Sequence, residues 1–201
     1  MGTRLGGRYE LLHPVWRDRL GSTWIARDPA GWPVSVRVLP TALAEDPAVL
    51  RRFASDRRRL TAVRHPNLAA VLDLTTADGT AAIVSEAVDG TSLRHLPGPL
   101  PPREATRVGA AVTAALTALH DAGVPHAHLG PGNVYLTRAG EVRLVDIALT
   151  RLLADSPTGR SLLPPTADQP VRALLLDVTR RPSRRRLPRT FLATYDTCPG
   201  A

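Results

Sequence analysis

A chain of 201 residues with 43% apolar side chains carries enough hydrophobic material for one domain or a small pair, which excludes a wholly disordered protein. Its formal charge of +8 is made entirely with arginine and is uneven: residues 1–155 hold 18 Arg against 15 acids, residues 156–201 hold 8 against 3. The single cysteine, Cys198, excludes an intrachain disulfide and a cysteine metal cluster. No apolar leader opens the chain and the stretch Val108–Leu119 is too short and broken to span a bilayer, so a cytoplasmic protein is expected.

In chain order, Tyr9–Val15, Ser22–Asp28 and Pro33–Leu39 read as strands, the last with Val34, Val36 and Val38 in alternation. Asp46-Pro47 predicts a helix start, and the helix runs to about Val63 with Leu50, Phe53, Leu60 and Val63 on one face. Strands over Ala69–Leu74 and Ala81–Glu86 follow. A second helix fits Pro102–Ala122, where Ala105, Val108, Val112, Ala115, Leu116 and Leu119 make a stripe and Gly123 the stop. A hairpin, Val134–Thr137 with Glu141–Val145, leads to Asp146-Ile147-Ala148. Beyond about residue 155 the text is rich in Pro and Arg, and apart from a faint helix at Val171–Leu176 it predicts no foldable segment.

Six segments have the order and spacing of one family. They are Trp16-Arg17-Asp18-Arg19-Leu20-Gly21-Ser22-Thr23, Val34-Ser35-Val36-Arg37, His65-Pro66-Asn67, Val84-Ser85-Glu86-Ala87-Val88-Asp89-Gly90, His126-Ala127-His128-Leu129-Gly130-Pro131-Gly132-Asn133, and Asp146-Ile147-Ala148. Together they resemble the bacterial, actinobacterial-type Ser/Thr protein kinases. The resemblance implies an α+β fold. Residues 8–90 would form a small lobe, a five-stranded antiparallel sheet plus one helix. Residues 91–155 would form an incomplete helical large lobe with the relic of a catalytic loop, and 156–201 a disordered tail. The missing large-lobe helices predict a truncated domain whose large-lobe core lies exposed.

The resemblance also implies site roles, and here the chain departs from its family. The phosphate-cradling loop keeps one glycine, Gly21; Trp16 and Asp18 replace the others, and an aspartate repels triphosphate. Arg37 replaces the lysine that contacts phosphate and pairs with a helix glutamate, a position that falls on Asp56. An Arg37–Asp56 bridge is therefore expected, structural or phosphate-binding. His128 replaces the catalytic aspartate and Gly130 the second lysine. Asn133 and Asp146 match the two magnesium ligands, as weak ligands or as polar residues that persist. Backbone groups at Glu86 and Val88 match the adenine-reading hinge, with Ser35 and Tyr135 on the pocket walls.

The expectation is a pseudokinase that acts by binding a protein partner, with ATP and magnesium bound weakly or not at all. The alternatives are an atypical low-activity Ser/Thr kinase and a truncated relic without function. The arginine run Arg180–Arg189 is expected to be a solvated tail rather than a nucleic-acid or membrane contact.

Overall fold

Alternation of apolar residues along β2 (Tyr9–Asp18), β3 (Gly21–Arg27) and β4 (Pro33–Val38) gives the first sheet two faces, in a computed structural model that describes residues 4–77, 79–124, 126, 129–162 and 171–180. The sheet is antiparallel with order β1-β2-β3-β4-β6-β5, where β1 is Arg4–Leu5, β5 is Val71–Ala77 and β6 is Thr80–Glu86. One face buries Tyr9, Ala26, Val34, Val36, Ala82 and Val84 in a small core of its own. The other packs Leu74, Ala81 and Ile83 into the main core beneath helix α2 (Pro47–Ala62).

The sheet has six strands where five are expected. The extra strand β1, Arg4–Leu5, pairs with Tyr9 and Glu10 because Gly6 and Gly7 both take positive φ and reverse the chain in two residues. A four-residue helix α1, Thr41–Ala44, is also additional and buries Leu43.

Helix α2 spans Pro47–Ala62, with Asp46 accepting a hydrogen bond from the Ala48 N–H and Pro47 in the first turn, as predicted. Its buried stripe is Val49, Phe53, Asp56 and Leu60, whereas the predicted Leu50 lies half-buried on the flank. A carboxylate thus occupies a core position, and its partners matter below.

His65-Pro66-Asn67 ties this sheet to the rest of the chain. The Asn67 side chain donates to the Val142 carbonyl at 2.9 Å, and the Leu144 N–H to the Asn67 carbonyl at 2.8 Å. A second sheet contains β7 (Gly90–Ser92), β8 (Val134–Thr137) and β9 (Val142–Leu144), β8 central. Strand β7 escaped the sequence reading because it is only three residues long; Gly90 lets it approach β8 so closely that a Cβ there would meet the Leu136 carbonyl oxygen at 2.4 Å.

Helix α3, Pro102–Asp121, buries Ala105, Val108, Val112, Ala115 and Leu119 as predicted, with Leu116 half-buried. Helices α4 (Leu149–Leu153), α5 (Pro157–Leu162) and α6 (Val171–Arg180) follow. The stretch expected as a tail is therefore helical over 157–162, and over 171–180, where the faint helix expected at Val171–Leu176 forms and runs on to Arg180. Val171, Leu174, Leu175 and Val178 recur at helical spacing, and α6 lays them on α3. Gly109 makes room: a Cβ there would lie 2.7 Å from a Leu175 methyl. The stripe of α3 is thus covered, not exposed as expected. Residues 163–170 and 181–201, including most of the arginine run, lie outside the described residues.

Candidate functional site

The β2–β3 turn, the inner end of β4 and the segment after β9 meet at one point, and arginine chemistry dominates it. Gly21 holds the turn at φ +120°, where a Cβ would collide with the Val38 carbonyl oxygen at 2.0 Å; its glycine is required by the backbone whether or not a ligand binds. Arg37 on β4 is buried, its side chain 7% exposed, and its Nη2 donates to both oxygens of Asp18 at 2.7 and 2.8 Å. Its Nη1 donates to Thr23 Oγ1 at 3.2 Å and lies 3.7 Å from Asp146 Oδ2. Buried Nε has no hydrogen-bond partner among the described residues. The Asp18 carboxylate also accepts from the Leu20 N–H at 2.8 Å and from the Trp16 indole N–H at 3.2 Å.

The expected Arg37–Asp56 bridge does not form. Asp56 is buried on α2, but its Oδ1 accepts from Arg151 Nη2 at 2.9 Å, its Oδ2 lies 2.8 Å from Arg151 Nε, and Arg52 Nη1 sits 3.5 Å away. Aspartate is one methylene shorter than glutamate, and α4 brings a long guanidinium to it from the other side. Helix α2 and the segment after Asp146 are tied twice more. Arg52 Nε donates to Asp155, and Ser156 Oγ donates to Asp46.

On the metal side, Asp146 stands at φ +61°, an uncommon conformation for a residue with a side chain. Ile147 and Ala148 are buried, and α4 begins at the next residue. Asn133 Oδ1 accepts from the Gly130 N–H at 2.9 Å, while its own carbonyl accepts from the Val145 N–H at 2.9 Å. The oxygens available to a magnesium ion are thus an amide oxygen already holding its loop and a carboxylate facing Arg37. Of these three oxygens Asn133 Oδ1 already accepts a hydrogen bond and Asp146 Oδ2 lies beside a fixed positive charge, so the set does not fit a divalent cation as it stands. Among the described residues no group of three His, Cys, Asp or Glu side chains could hold a metal. Buried His126 approaches the Val145 carbonyl through Nε2 at 3.3 Å, fixing the start of the same loop. His128 lies outside the described residues. The Tyr135 phenol, two residues after Asn133, is pushed above its ordinary pKa by burial and then by the Asp146 charge, so it stays neutral.

At the hinge, Val34 of β4 pairs with Glu86, and Ser35 with Ser85. The Glu86 side chain accepts from the Ala70 N–H at 3.1 Å and lies 3.6 Å from Arg143. Val88 is half-buried in the extended link from β6 to β7. Arg37 and Asp146 are therefore brought together with Asp18, and Asn133 is joined to them through Val145; Asp56 is drawn away.

Two features have no counterpart in the sequence reading. Arg151 carried no motif, so nothing local marked it as the partner of Asp56. Half-exposed Trp16 meets the His95 ring edge-on, centroids 6.3 Å apart, while Ser92 Oγ and His95 Nδ1 are 2.9 Å apart. The Trp16 substitution was visible, its reach across to the turn at Leu93–His95 was not.

Comparison with known proteins gives one answer throughout. The family described as protein kinase domain matches residues 34–166. The serine/threonine-protein kinase PknB of Mycobacterium leprae is 34% identical over 160 residues, covering 76% of this chain and 26% of that protein. PkaA of Streptomyces coelicolor is 36% identical over 171 residues, covering 76% and 31%. The chain spans about a quarter of the length of the curated relatives it matches. Among solved structures, a mutant form of the Mycobacterium tuberculosis PknI kinase domain superposes with a TM-score of 0.64 at 26% identity, over 74% of this chain and 64% of that one.

Proposed function

The chain belongs to the bacterial Ser/Thr protein kinase family, and from that premise we propose that it is a catalytically impaired kinase-like domain, a pseudokinase that works by binding a protein partner in the cytoplasm. The observation that carries this reading is the separation of Arg37 from Asp56. In the family a strand cation and a helix anion pair and together position the nucleotide. Here each has found another partner, Asp18 and Asp146 for Arg37, Arg151 and Arg52 for Asp56. His128 and Gly130 add two further departures in the catalytic loop, and groups that act as a unit lose several orders of magnitude when one is removed. Asn133 and Asp146 persist, but Asn133 Oδ1 is committed to the Gly130 N–H and Asp146 faces Arg37, which supports weak metal-dependent ATP binding at most.

Thermal unfolding with and without millimolar ATP plus magnesium or manganese tests the reading. A nucleotide present at about a hundred times its Kd adds ~2.7 kcal/mol, a rise of about 5–10 °C for a chain of this size. The expected result is a cooperative transition that moves by less than about 2 °C, together with no phosphate transfer to a generic protein substrate. Transfer that disappears in Asp146→Asn would overturn it in favour of an atypical, low-activity kinase.

A further inference from the structure

We propose that Asp18 is a resident occupant of an anion cradle, seated where the phosphates of a nucleoside triphosphate would otherwise bind without a metal ion. The inference rests on the reading of the cleft as no longer a metal-dependent kinase site. Four donations converge on the one carboxylate: two from Arg37 Nη2, one from the Leu20 N–H and one from the Trp16 indole N–H. A guanidinium nitrogen, a backbone N–H and a ring N–H pointing at one spot form a polyvalent anion site, and a guanidinium suits phosphate as well as carboxylate.

Two details favour an anion larger than the carboxylate now there. Arg37 is nine-tenths buried, yet among the described residues its Nε has no hydrogen-bond partner, so Asp18 leaves one of its donors unused. Arg17 and Arg19, both exposed, are the sequence neighbours of Asp18 and add positive charge to the same turn. Access is open, since a third of the Asp18 side chain is exposed and Trp16 is half-exposed. Among the described residues Asp146, its Oδ2 3.7 Å from Arg37, is the other carboxylate paired with Arg37, and it meets Nη1, not Nη2. In this arrangement Arg37 supplies the positive charge that a metal ion and a lysine would supply, and Asp18 competes with the ligand from within the chain.

The test is calorimetric titration of inorganic triphosphate, in the presence of EDTA, into the full chain and its variants. Asp18→Ala is expected to bind triphosphate about tenfold or more tighter than the wild type, and Arg37→Ala in the same background to abolish the gain. Adenosine, which carries no phosphate, is expected to bind both proteins alike. No gain in Asp18→Ala, a gain that survives loss of Arg37, or an equal gain for adenosine overturns the proposal. Should Asp18→Ala not fold, Asp18→Asn removes the charge and keeps the size. A smaller gain in triphosphate affinity is then expected, and no gain overturns the idea equally. Phosphate transfer by the wild type would sink the functional reading and leave this result standing, because the titration holds neither metal nor acceptor.

Discussion

Helix α2 is held by a buried carboxylate on each flank, and the two differ in what they join. On the sheet flank, Asp73 of β5 takes Arg57 of α2 at 2.6 Å, Arg8 at 2.8 Å and the Tyr9 hydroxyl at 2.9 Å. On the other flank, Asp56 of α2 itself takes Arg151 and Arg52. The first network lies wholly inside the first sheet and its helix. The second reaches 95 positions along the chain to α4. Buried ion pairs rarely add net stability over an apolar alternative, but losing one partner is costly, so they specify geometry. The sheet flank fixes where α2 lies; the α4 flank fixes which way Asp56 looks, and it looks away from Arg37.

The sharpest way to break that comparison is Arg151→Ala. Among the described residues it leaves the buried Asp56 carboxylate with Arg52 alone, at 3.5 Å, and a loss of about 3 kcal/mol is expected, or ~6–12 °C in Tm. Chemical denaturation checks it, and the double variant Asp56→Ala/Arg151→Ala should recover part of the loss, since no unpaired charge remains. On the sheet flank Arg8→Ala, whose side chain is more than half exposed, should cost under ~1 kcal/mol because Arg57 and Tyr9 still serve Asp73. Equal costs on the two flanks would mean that α4 is no more than a surface neighbour of α2.

High pH should weaken the sheet flank selectively. Burial, the hydrogen bond to Asp73 and the charge of Asp73 push the Tyr9 phenol up to about 12. The folded chain therefore keeps a proton that the unfolded chain sheds near pH 10. Stability is complete below pH 10 and falls as pH rises from 10 toward 12, by about 2–3 kcal/mol. Urea unfolding across that range measures it, and Tyr9→Phe should flatten the slope at a cost of about 1 kcal/mol near neutral pH.

What was legible in the sequence follows from what kind of signal each feature leaves. The strands, the Asp46-Pro47 helix start and the α3 stripe are patterns of period two or 3.6, or short ordered motifs, and each stands within a residue or a few of its predicted place. Departures from the family at Trp16, Asp18, Arg37 and Asp56 were equally plain as substitutions. Their new partners were not. Pairing of Asp56 with Arg151 joins residues in separate elements, and no periodicity or local spacing connects them. Arg37 turns to Asp18 rather than across to α2 because a bidentate carboxylate 19 positions away is within reach. Helix α6 was legible only as a faint helix over Val171–Leu176, for another reason: its four apolar residues at helical spacing sit inside a stretch whose proline and arginine content reads as tail.

The smallest effect should come from acid, at the end of α2 nearest α5. The Ser156 hydroxyl, then the Ala48 N–H, holds the Asp46 carboxyl below its usual range, and Arg52 does the same for Asp155. Both folded values are depressed. Their contribution is therefore present above the unfolded carboxylate pKa of about 4, and it fades as pH falls through the lower folded values. The urea midpoint should be flat from neutral pH to about 5 and decline below about 4. High salt separates the two causes. The Arg52–Asp155 pair is half-exposed and should be screened near 1 M salt, whereas the hydrogen bond from buried Ser156 should not be. Ser156→Ala should then remove most of the acid sensitivity that remains at high salt. An unchanged slope in that variant would place the acid-labile contact at Asp155 alone, and the tie between α2 and α5 would reduce to packing.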